Sequence, residues 1–142
     1  MKQVHYITNS QEETFDVGYE LGKKAKKGDI FGLIGDLGTG KTILAKGIAK
    51  GLGINEEITS PTFTLLEVYE AAIPLYHFDL YRISDDSELE NLFFEEYWYG
   101  DGVSVIEWAE RAMKRLPNDI FIIKLEYTGK NRRKITIEHP DP

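Results

Sequence analysis

A glycine-rich segment followed by lysine and threonine carries the clearest chemical signal in this sequence. Residues 35–42, GDLGTGKT, match G-x-x-x-x-G-K-[ST] at every fixed position. Glycines let the backbone curl so that successive N–H groups point inward at phosphate oxygens. Lys41 is expected to reach the β and γ phosphates, and Thr42 to offer its hydroxyl to Mg²⁺. The pattern predicts a P-loop for a nucleoside triphosphate; the alternative is a glycine-rich turn with an exposed lysine.

Two acidic residues follow apolar runs, as the metal and water sites of a P-loop enzyme require. Glu107 comes directly after residues 103–106, and Asp79 comes after residues 75–78. A carboxylate just beyond a buried strand falls at the carboxyl edge of the sheet, where ligands bind. Glu107 is predicted to organise Mg²⁺, and Asp79 to position the attacking water or join the metal's outer shell. The alternatives are a helix-starting acid for Glu107 and a turn-forming Asp79.

Two further positions have polar side chains but a weaker chemical signal. His77 lies within an apolar run, which predicts a packed core histidine with one satisfied nitrogen and no chemical role. Residues 60–64, SPTFT, combine a rigid turn with hydroxyls and are interpreted as a nucleotide-sensing switch. The alternative for this segment is a plain loop rich in turn-forming residues.

The loop needs a strand before it and a helix after it, and the sequence supplies both. Residues 30–34 form an apolar run short enough for a strand covered on both faces. Apolar residues at helical spacing continue from the loop to Leu52, and Gly53 is well placed as a C-terminal cap. Ser10 and Glu13 have capping-box spacing, which predicts a first helix over residues 10–27.

The rest of the chain alternates strand and helix signals. Further strands are predicted at residues 63–69, 75–78, 103–106, 120–127 and 134–138, the last two forming a hairpin across residues 128–131. Helices are predicted at residues 87–97 and 109–116. The predicted fold class is α/β, a three-layer P-loop NTPase sandwich with a mainly parallel central sheet and a C-terminal antiparallel hairpin. A single domain over residues 1–142 fits this length.

Composition excludes several classes of function. Lys plus Arg number 17 against 24 Asp plus Glu, a net charge of −7, which argues against nucleic acid bound by bulk charge. A local basic patch remains as the alternative. Cysteine is absent, so disulfides and thiolate metal sites are excluded. The first residues lack the apolar core of a signal peptide, and no apolar run approaches a membrane span. A cytoplasmic location is expected.

Four sequence blocks together resemble one family. They are GDLGTGKT at residues 35–42, SPTFTL at 60–65, HFDLYR at 77–82 and IEWAE at 106–110. In this order they resemble the bacterial TsaE family, formerly YjeE, the ATPase of tRNA threonylcarbamoyladenosine (t6A) biosynthesis. The resemblance implies two partner proteins, TsaB and TsaD, which install threonylcarbamoyl on adenosine 37 of tRNAs, so that tRNA is met only through the complex.

The resemblance also implies roles for individual residues. The substrate would be ATP rather than GTP, with Asp79 in the hydrolytic site. Ser10 and Arg133 would contact the nucleotide from the first helix and the last hairpin, and Trp108 would lie near it or pack in the core. The predicted catalytic residues are Lys41, Asp79 and Glu107, and the predicted Mg²⁺ ligands are Thr42 and Glu107. The predicted nucleotide contacts are Ser10, Gly35, Asp36, Leu37, Gly38, Thr39, Gly40, Lys41, Thr42, Ile43 and Arg133.

Two other classes of P-loop protein remain as alternatives. A small-molecule kinase would use the same loop but needs an acceptor pocket and a lid, for which little chain is left. A GTP-dependent switch needs the guanine-binding pattern N/T-K-x-D, which is missing here. An arginine finger in a dependable position is also missing, which predicts slow hydrolysis that partners accelerate.

Overall fold

Strands and helices alternate along most of the chain. The computed structural model describes residues 2–36, 38–59, 61, 65–89, 92 and 94–140. In chain order the elements are β1 (Lys2–Thr8), α1 (Gln11–Lys24), β2 (Ile30–Ile34), α2 (Lys41–Gly51), β3 (Leu66–Tyr69), β4 (Leu75–Asp79), a 3₁₀ helix at Asp86–Leu89, α3 (Glu95–Trp98), β5 (Val103–Glu107), a 3₁₀ helix at Ala109–Ala112, β6 (Phe121–Gly129) and β7 (Arg132–His139). Leu37 and most of the predicted switch lie outside the described residues. Within the described residues, no helix has the length and apolarity needed to cross a membrane.

The seven strands form one mixed sheet in the order β1-β7-β6-β2-β5-β4-β3. The four strands β6, β2, β5 and β4 run parallel to one another. Antiparallel pairs flank them on both sides, with β7 and β1 beside β6 and with β3 beside β4. The α/β class and the C-terminal hairpin are therefore confirmed. The parallel character is limited to the centre of the sheet.

Strand β1 is absent from the sequence-based prediction. It pairs with β7 from Lys2↔His139 to Thr8↔Arg133 and forms an edge of the sheet. Of its side chains only that of Thr8 is buried. Apolar and polar residues alternate in β1 only over Val4, His5 and Tyr6, which is too short a pattern to identify a strand in the sequence.

Two predicted helices are wrong in extent. Residues 109–116 form a 3₁₀ helix at Ala109–Ala112 and then turns, because Trp108 adopts a left-handed conformation (φ 60°) and Ala109 and Ala112 reach the core at the three-residue spacing of a 3₁₀ helix. Within residues 87–97 the described helical pieces are Asp86–Leu89 and the start of α3. Buried Leu89 and Phe94 are five residues apart, which does not fit one continuous helical face.

Side-chain alternation along β4 and β5 decides which face of the sheet carries the polar groups. Leu75 and Val105 belong to the core that also contains Leu44, Ala45 and Ile48 of α2. Phe78 and Ile106 belong to a second core on the opposite face. Because successive side chains point to opposite faces, His77, Asp79 and Glu107 lie on the face covered by α2.

Helices α1 and α2 pack against each other through glycines. A Cβ at Gly18 would lie 2.3 Å from the carbonyl oxygen of Leu44, and a Cβ at Gly22 would lie 2.1 Å from that of Ile48. A Cβ at Gly47 would lie 2.2 Å from the carbonyl oxygen of Phe15. The backbones therefore approach more closely than any larger residue would allow, which fixes the position of α2 and of the loop that precedes it.

The cap predicted for the start of α1 and the cap predicted for the end of α2 are both confirmed. Ser10 is the N-cap of α1, and its Oγ accepts a hydrogen bond from the N–H of Glu13 at 3.1 Å. The Glu13 carboxylate in turn accepts from the N–H of Asn9 at 2.8 Å. Gly53 follows α2 with φ 89° and donates its N–H to the carbonyl of Lys50. These caps satisfy backbone groups that a helix end otherwise leaves unpaired.

Candidate functional site

The glycine loop, residues 35–40, connects the end of β2 to the start of α2. Gly38 and Gly40 have φ values of 79° and 103°, which L side chains rarely adopt. The Thr39 side chain is 2% exposed, and its Oγ1 donates a hydrogen bond to the carbonyl of Asp36 at 2.7 Å. The loop thus turns sharply where the sequence supplies glycine, and an internal hydrogen bond closes the turn.

Lys41 is the first residue of α2, and its side chain lies under the glycine loop. The Nζ atom donates to the carbonyl oxygens of Gly35 and Asp36, the second at 3.0 Å, and lies 4.0 Å from the ring centre of Trp108. Burial lowers the pKa of Lys41, and the nearby carboxylates of Glu110 and Glu107 oppose that shift. The ammonium group of Lys41 is thus held beside the glycine loop by two backbone carbonyl oxygens.

Glu107, the last residue of β5, accepts hydrogen bonds on both carboxylate oxygens. The hydroxyl of Thr42 donates to Oε1 at 2.9 Å, and Nε2 of His77 lies 2.6 Å from Oε2. Glu107 is 3% exposed and His77 is fully buried. The contact with Thr42 links the start of α2 to the carboxyl end of β5, as the two predicted metal ligands require.

Asp79 ends β4 directly beside Glu107, since the two residues are partners in the parallel register. Its Oδ1 accepts a hydrogen bond from the N–H of Tyr81 at 3.0 Å. Burial raises the pKa of Asp79, the Tyr81 N–H opposes that shift, and the negative charge of Glu107 adds to it. The two carboxylates therefore meet at one sheet edge, as predicted.

A cleft of about 440 Å³ gathers most of the predicted site residues. Its lining is Gln11, Gly38, Gly40, Lys41, Thr42, Ile43, Asp79, Tyr81, Glu107, Trp108 and Arg133. Gly35, Asp36 and Thr39 instead line a cavity of about 400 Å³ between the glycine loop and β6. Ser10 caps α1 and does not line the cleft, although the next residue, Gln11, does.

Several residues around the cleft were missed by sequence reasoning. The Tyr127 hydroxyl donates to the carbonyl of Gly38, and the Arg133 guanidinium lies 5.1 Å from the Tyr127 ring centre. The rings of Tyr81 and Trp108 are 5.0 Å apart. Tyr81 lies within the HFDLYR block, so the resemblance gave a signal for it. Tyr127 and Gln11 gave none, because only the fold brings them to the loop.

The oxygen atoms of Thr42 and Glu107 fit a magnesium ion. Mg²⁺ prefers oxygen ligands, keeps several waters, and is bound in nucleotide sites by one or two protein groups plus substrate phosphates. A hydroxyl and a carboxylate 2.9 Å apart at the rim of the cleft match this requirement. Among the described residues, no cluster of three or more His, Cys, Asp or Glu side chains could hold a metal ion.

Comparison with known proteins assigns the chain to a family. The sequence model described as "Threonylcarbamoyl adenosine biosynthesis protein TsaE" matches residues 8–135. The chain belongs to the TsaE family. A TsaE relative from Bacillus subtilis (strain 168) is 42% identical over 137 residues, covering 96% of this chain and 85% of the relative. A TsaE relative from Treponema pallidum is 42% identical over 131 residues, covering 92% and 97%. Both carry the name "tRNA threonylcarbamoyladenosine biosynthesis protein TsaE".

A solved structure supports the same TsaE assignment. The crystal structure of Bacillus subtilis YdiB superimposes with a TM-score of 0.84 and 37% sequence identity. The match covers 99% of this chain and 87% of that structure. The similarity therefore includes the edge strand β1 and the C-terminal hairpin as well as the central parallel strands.

Proposed function

We propose that this TsaE chain is a Mg²⁺-dependent ATPase, one domain over residues 1–142, that supports t6A modification of tRNA. The observation that carries the proposal is the meeting of Lys41, Thr42 and Glu107 in one cleft at the carboxyl edge of the parallel strands. Ligands of open α/β sheets bind at this edge. The names of the TsaE relatives support the pathway.

The glycine loop and its neighbours are proposed to bind the phosphates of ATP. The N-terminus of α2 places its first backbone N–H groups and the positive end of the helix dipole at the cleft. Lys41 adds a full charge beside them, and Arg133 adds a second from the hairpin. The predicted contacts of Ser10 and Leu37 belong to the same proposal, Ser10 acting from the start of α1 next to Gln11.

Thr42 and Glu107 are proposed to hold Mg²⁺. The ion would neutralise negative charge that develops on the phosphate oxygens during hydrolysis. Glu107 is well suited to the role, because it lies between two hydrogen-bond donors that orient its carboxylate. The hydroxyl of Thr42 lies 2.9 Å from Oε1 of Glu107, so the two proposed ligands are close enough to bind the same ion.

Asp79 is proposed to orient the attacking water. The water oxygen forms a bond to the γ phosphorus while the bond from that phosphorus to the β–γ bridging oxygen breaks, giving ADP and phosphate. Asp79 lines the cleft beside Glu107, and the hydrogen bond from Tyr81 fixes one of its oxygens. A buried carboxylate with a raised pKa accepts a proton more readily than an exposed one.

Partner proteins of the TsaB and TsaD type are proposed to complete the activity in the cytoplasm. The sequence resemblance supports these partners, and the relatives' names place the relatives in the same biosynthesis. The net charge of −7 is unfavourable for direct tRNA binding, so we propose that the chain contacts tRNA only through its complex with these partner proteins.

Calorimetry with ATP and with GTP in saturating Mg²⁺, followed by a phosphate-release assay, tests the proposal. We expect ATP to bind in preference to GTP and to be hydrolysed slowly. Absence of binding by any triphosphate would overturn the proposal, and a strong preference for GTP would favour a switch protein. A phosphorylated product formed from ATP and a metabolite pool would favour a kinase.

Lys41→Ala should weaken ATP binding by about 10- to 100-fold, because it removes charge-assisted hydrogen bonds to phosphate. Lys46→Ala, in the same helix but outside the cleft lining, is the matched control. Calorimetry provides the measurement. Equal affinity of the two variants for ATP would contradict the role of Lys41.

A further inference from the structure

His77 lies in the middle of β4, and its side chain contacts Glu107, one of the two proposed Mg²⁺ ligands. Its side chain is fully buried on the α2 face of the sheet. Its partner in the parallel register is Val105, so Glu107 is two residues further along the neighbouring strand. This diagonal offset brings Nε2 to 2.6 Å from Oε2 of Glu107. His77 does not line the cleft, so it acts on any ligand only through Glu107.

The hydrogen-bond pattern of His77 assigns its proton. Nδ1 has no hydrogen-bond partner among the residues that the structure describes. Because the Glu107 carboxylate can only accept, Nε2 is the donor of this pair, and Nδ1 makes no hydrogen bond to the described part of the chain. The sequence-based interpretation of a core histidine with one satisfied nitrogen is therefore confirmed. What it missed is the identity of the partner.

The bond from His77 restricts the Glu107 carboxylate. A carboxylate at the end of a glutamate side chain rotates easily about its last torsion. With Oε2 held by the imidazole, Oε1 faces the Thr42 hydroxyl at 2.9 Å. Leaving one imidazole nitrogen unpaired in a protein interior is unfavourable, and an apolar side chain would avoid that cost. A histidine at position 77 therefore has one advantage over an apolar residue, which is its hydrogen bond to Glu107.

We propose that His77 is a positioning residue that orients the Glu107 carboxylate so that Oε1 and the Thr42 hydroxyl converge on one divalent cation. The inference rests on the proposed function, in which those two groups hold Mg²⁺. Groups that orient a metal ligand commonly change metal affinity by about 10- to 100-fold when they are removed. His77 should therefore affect the response to Mg²⁺ and leave the affinity for the nucleotide alone unchanged.

Two amide substitutions separate orientation from packing. In His77→Gln, the amide nitrogen reaches the position of Nε2 and can still donate to Glu107. The asparagine side chain of His77→Asn is shorter, so its amide nitrogen lies near the position of Nδ1 and cannot reach Glu107. His5→Asn, in edge strand β1, is the control for loss of a histidine away from the site. If His77→Asn does not fold by circular dichroism, His77→Met removes the donor at similar volume and takes its place.

Binding of a non-hydrolysable ATP analogue is measured by calorimetry over a Mg²⁺ series and in EDTA. Mn²⁺ binding by paramagnetic resonance provides a direct second readout. We expect His77→Asn to raise the Mg²⁺ concentration for half-maximal effect by about tenfold or more, with little change in EDTA. His77→Gln should stay within about threefold of the wild type.

Three results would overturn the inference. An unchanged Mg²⁺ response in a folded His77→Asn or His77→Met variant would exclude a positioning role. An equal loss of nucleotide affinity in EDTA and in Mg²⁺ would indicate a packing role instead. A wild-type chain whose nucleotide binding does not depend on Mg²⁺ would remove the proposed metal site as well, which distinguishes failure of the proposed function from failure of the inference alone.

Discussion

At the residue scale, Asp79 and Glu107 end neighbouring strands but differ in their surroundings. Glu107 accepts hydrogen bonds from two side chains, Thr42 and His77. Asp79 accepts one from a backbone N–H and has its pKa raised by burial. Two carboxylates at one site with different environments can take different roles, one holding a cation and the other handling a proton.

The raised pKa of Asp79 predicts a specific pH dependence of stability. The folded chain keeps this proton above the ordinary pKa of 3.8, where the unfolded chain has lost it. Its contribution to stability is therefore full at low pH and decreases as the pH rises from 3.8 through the raised pKa. Asp79→Asn does not titrate and keeps the acceptor for Tyr81. The variant's free energy of unfolding should increase relative to the wild type across that range and then level off.

Urea unfolding from acidic to neutral pH measures this difference. Asp119→Asn changes an exposed aspartate before β6 and provides the control. A difference between Asp79→Asn and the wild type that stays constant over the whole range would show that Asp79 does not titrate as inferred. The same variant should lose ATP hydrolysis under the proposed function.

At the element scale, the C-terminal hairpin supports the glycine loop. Tyr127 of β6 donates its hydroxyl to the carbonyl of Gly38, and Arg133 of β7 lies over the Tyr127 ring. A Cβ at Gly40 would lie 3.3 Å from Nε of Arg133. The hairpin and the loop therefore fit together closely, although more than 80 residues separate Gly38 from Tyr127 in the sequence.

Tyr127→Phe should loosen this support while keeping the ring beneath Arg133. A hydrogen bond of this kind contributes about 0.5–1.5 kcal/mol, so a loop that loses it should bind ATP about two- to twelvefold more weakly. Because the bond is already present without a ligand, the melting temperature should also fall by a few degrees. Tyr99→Phe, at a tyrosine that is 72% exposed, is the control. The affinity of each variant for ATP is measured by calorimetry. Unchanged binding by Tyr127→Phe would show that the hydrogen bond from Tyr127 to Gly38 does not order the loop.

The glycine interface of α1 and α2 predicts an unusual effect on stability. Alanine in place of glycine normally favours a helix by about 1 kcal/mol. At Gly47 the added Cβ would lie 2.2 Å from the Phe15 carbonyl oxygen, so the helices would have to separate. We expect Gly47→Ala to lower the free energy of unfolding by about 1–3 kcal/mol. Glu20→Ala, at an exposed position of α1, should not. Denaturant titration of both variants tests this, and a more stable Gly47→Ala would contradict the packing described.

Local signals explain how much of the fold and site could be predicted. The glycine loop, β2 and α2 follow from residues that are adjacent in sequence, and Glu107 and Asp79 follow from their places after apolar runs. Contacts made across the sheet left no such signal. The pairing of β1 with β7 and the bond from Tyr127 to Gly38 join segments from opposite ends or halves of the chain.

At the scale of the whole molecule, the net charge of −7 opposes direct attraction to RNA. The described cations of the cleft are Lys41 and Arg133, which the proposed function assigns to ATP phosphates. This distribution of charge supports the proposal that the protein contacts tRNA through partner proteins rather than through its own surface.

Hydrolysis of ATP should therefore be slow in the isolated chain and faster in the assembled system. We expect at least about a tenfold increase in phosphate release when partner proteins of the TsaB and TsaD type and tRNA are added, because they order or complete the site. Omitting one component at a time identifies which of them is responsible. Rapid turnover by the purified chain alone would contradict this expectation.

The position of Trp108 gives the cleft an intrinsic optical signal. Its indole ring lies 4.0 Å from the Lys41 ammonium group and lines the cleft. The other tryptophan of the chain, Trp98, is 1% exposed in the core against which Trp108 packs, and it does not line the cleft. Any displacement of Lys41 toward a phosphate changes the electric field at one fluorophore and leaves the other as a constant background. Under the proposed function, nucleotide binding should therefore change the emission of the unlabelled protein, which allows binding to be followed in real time without a modified ligand.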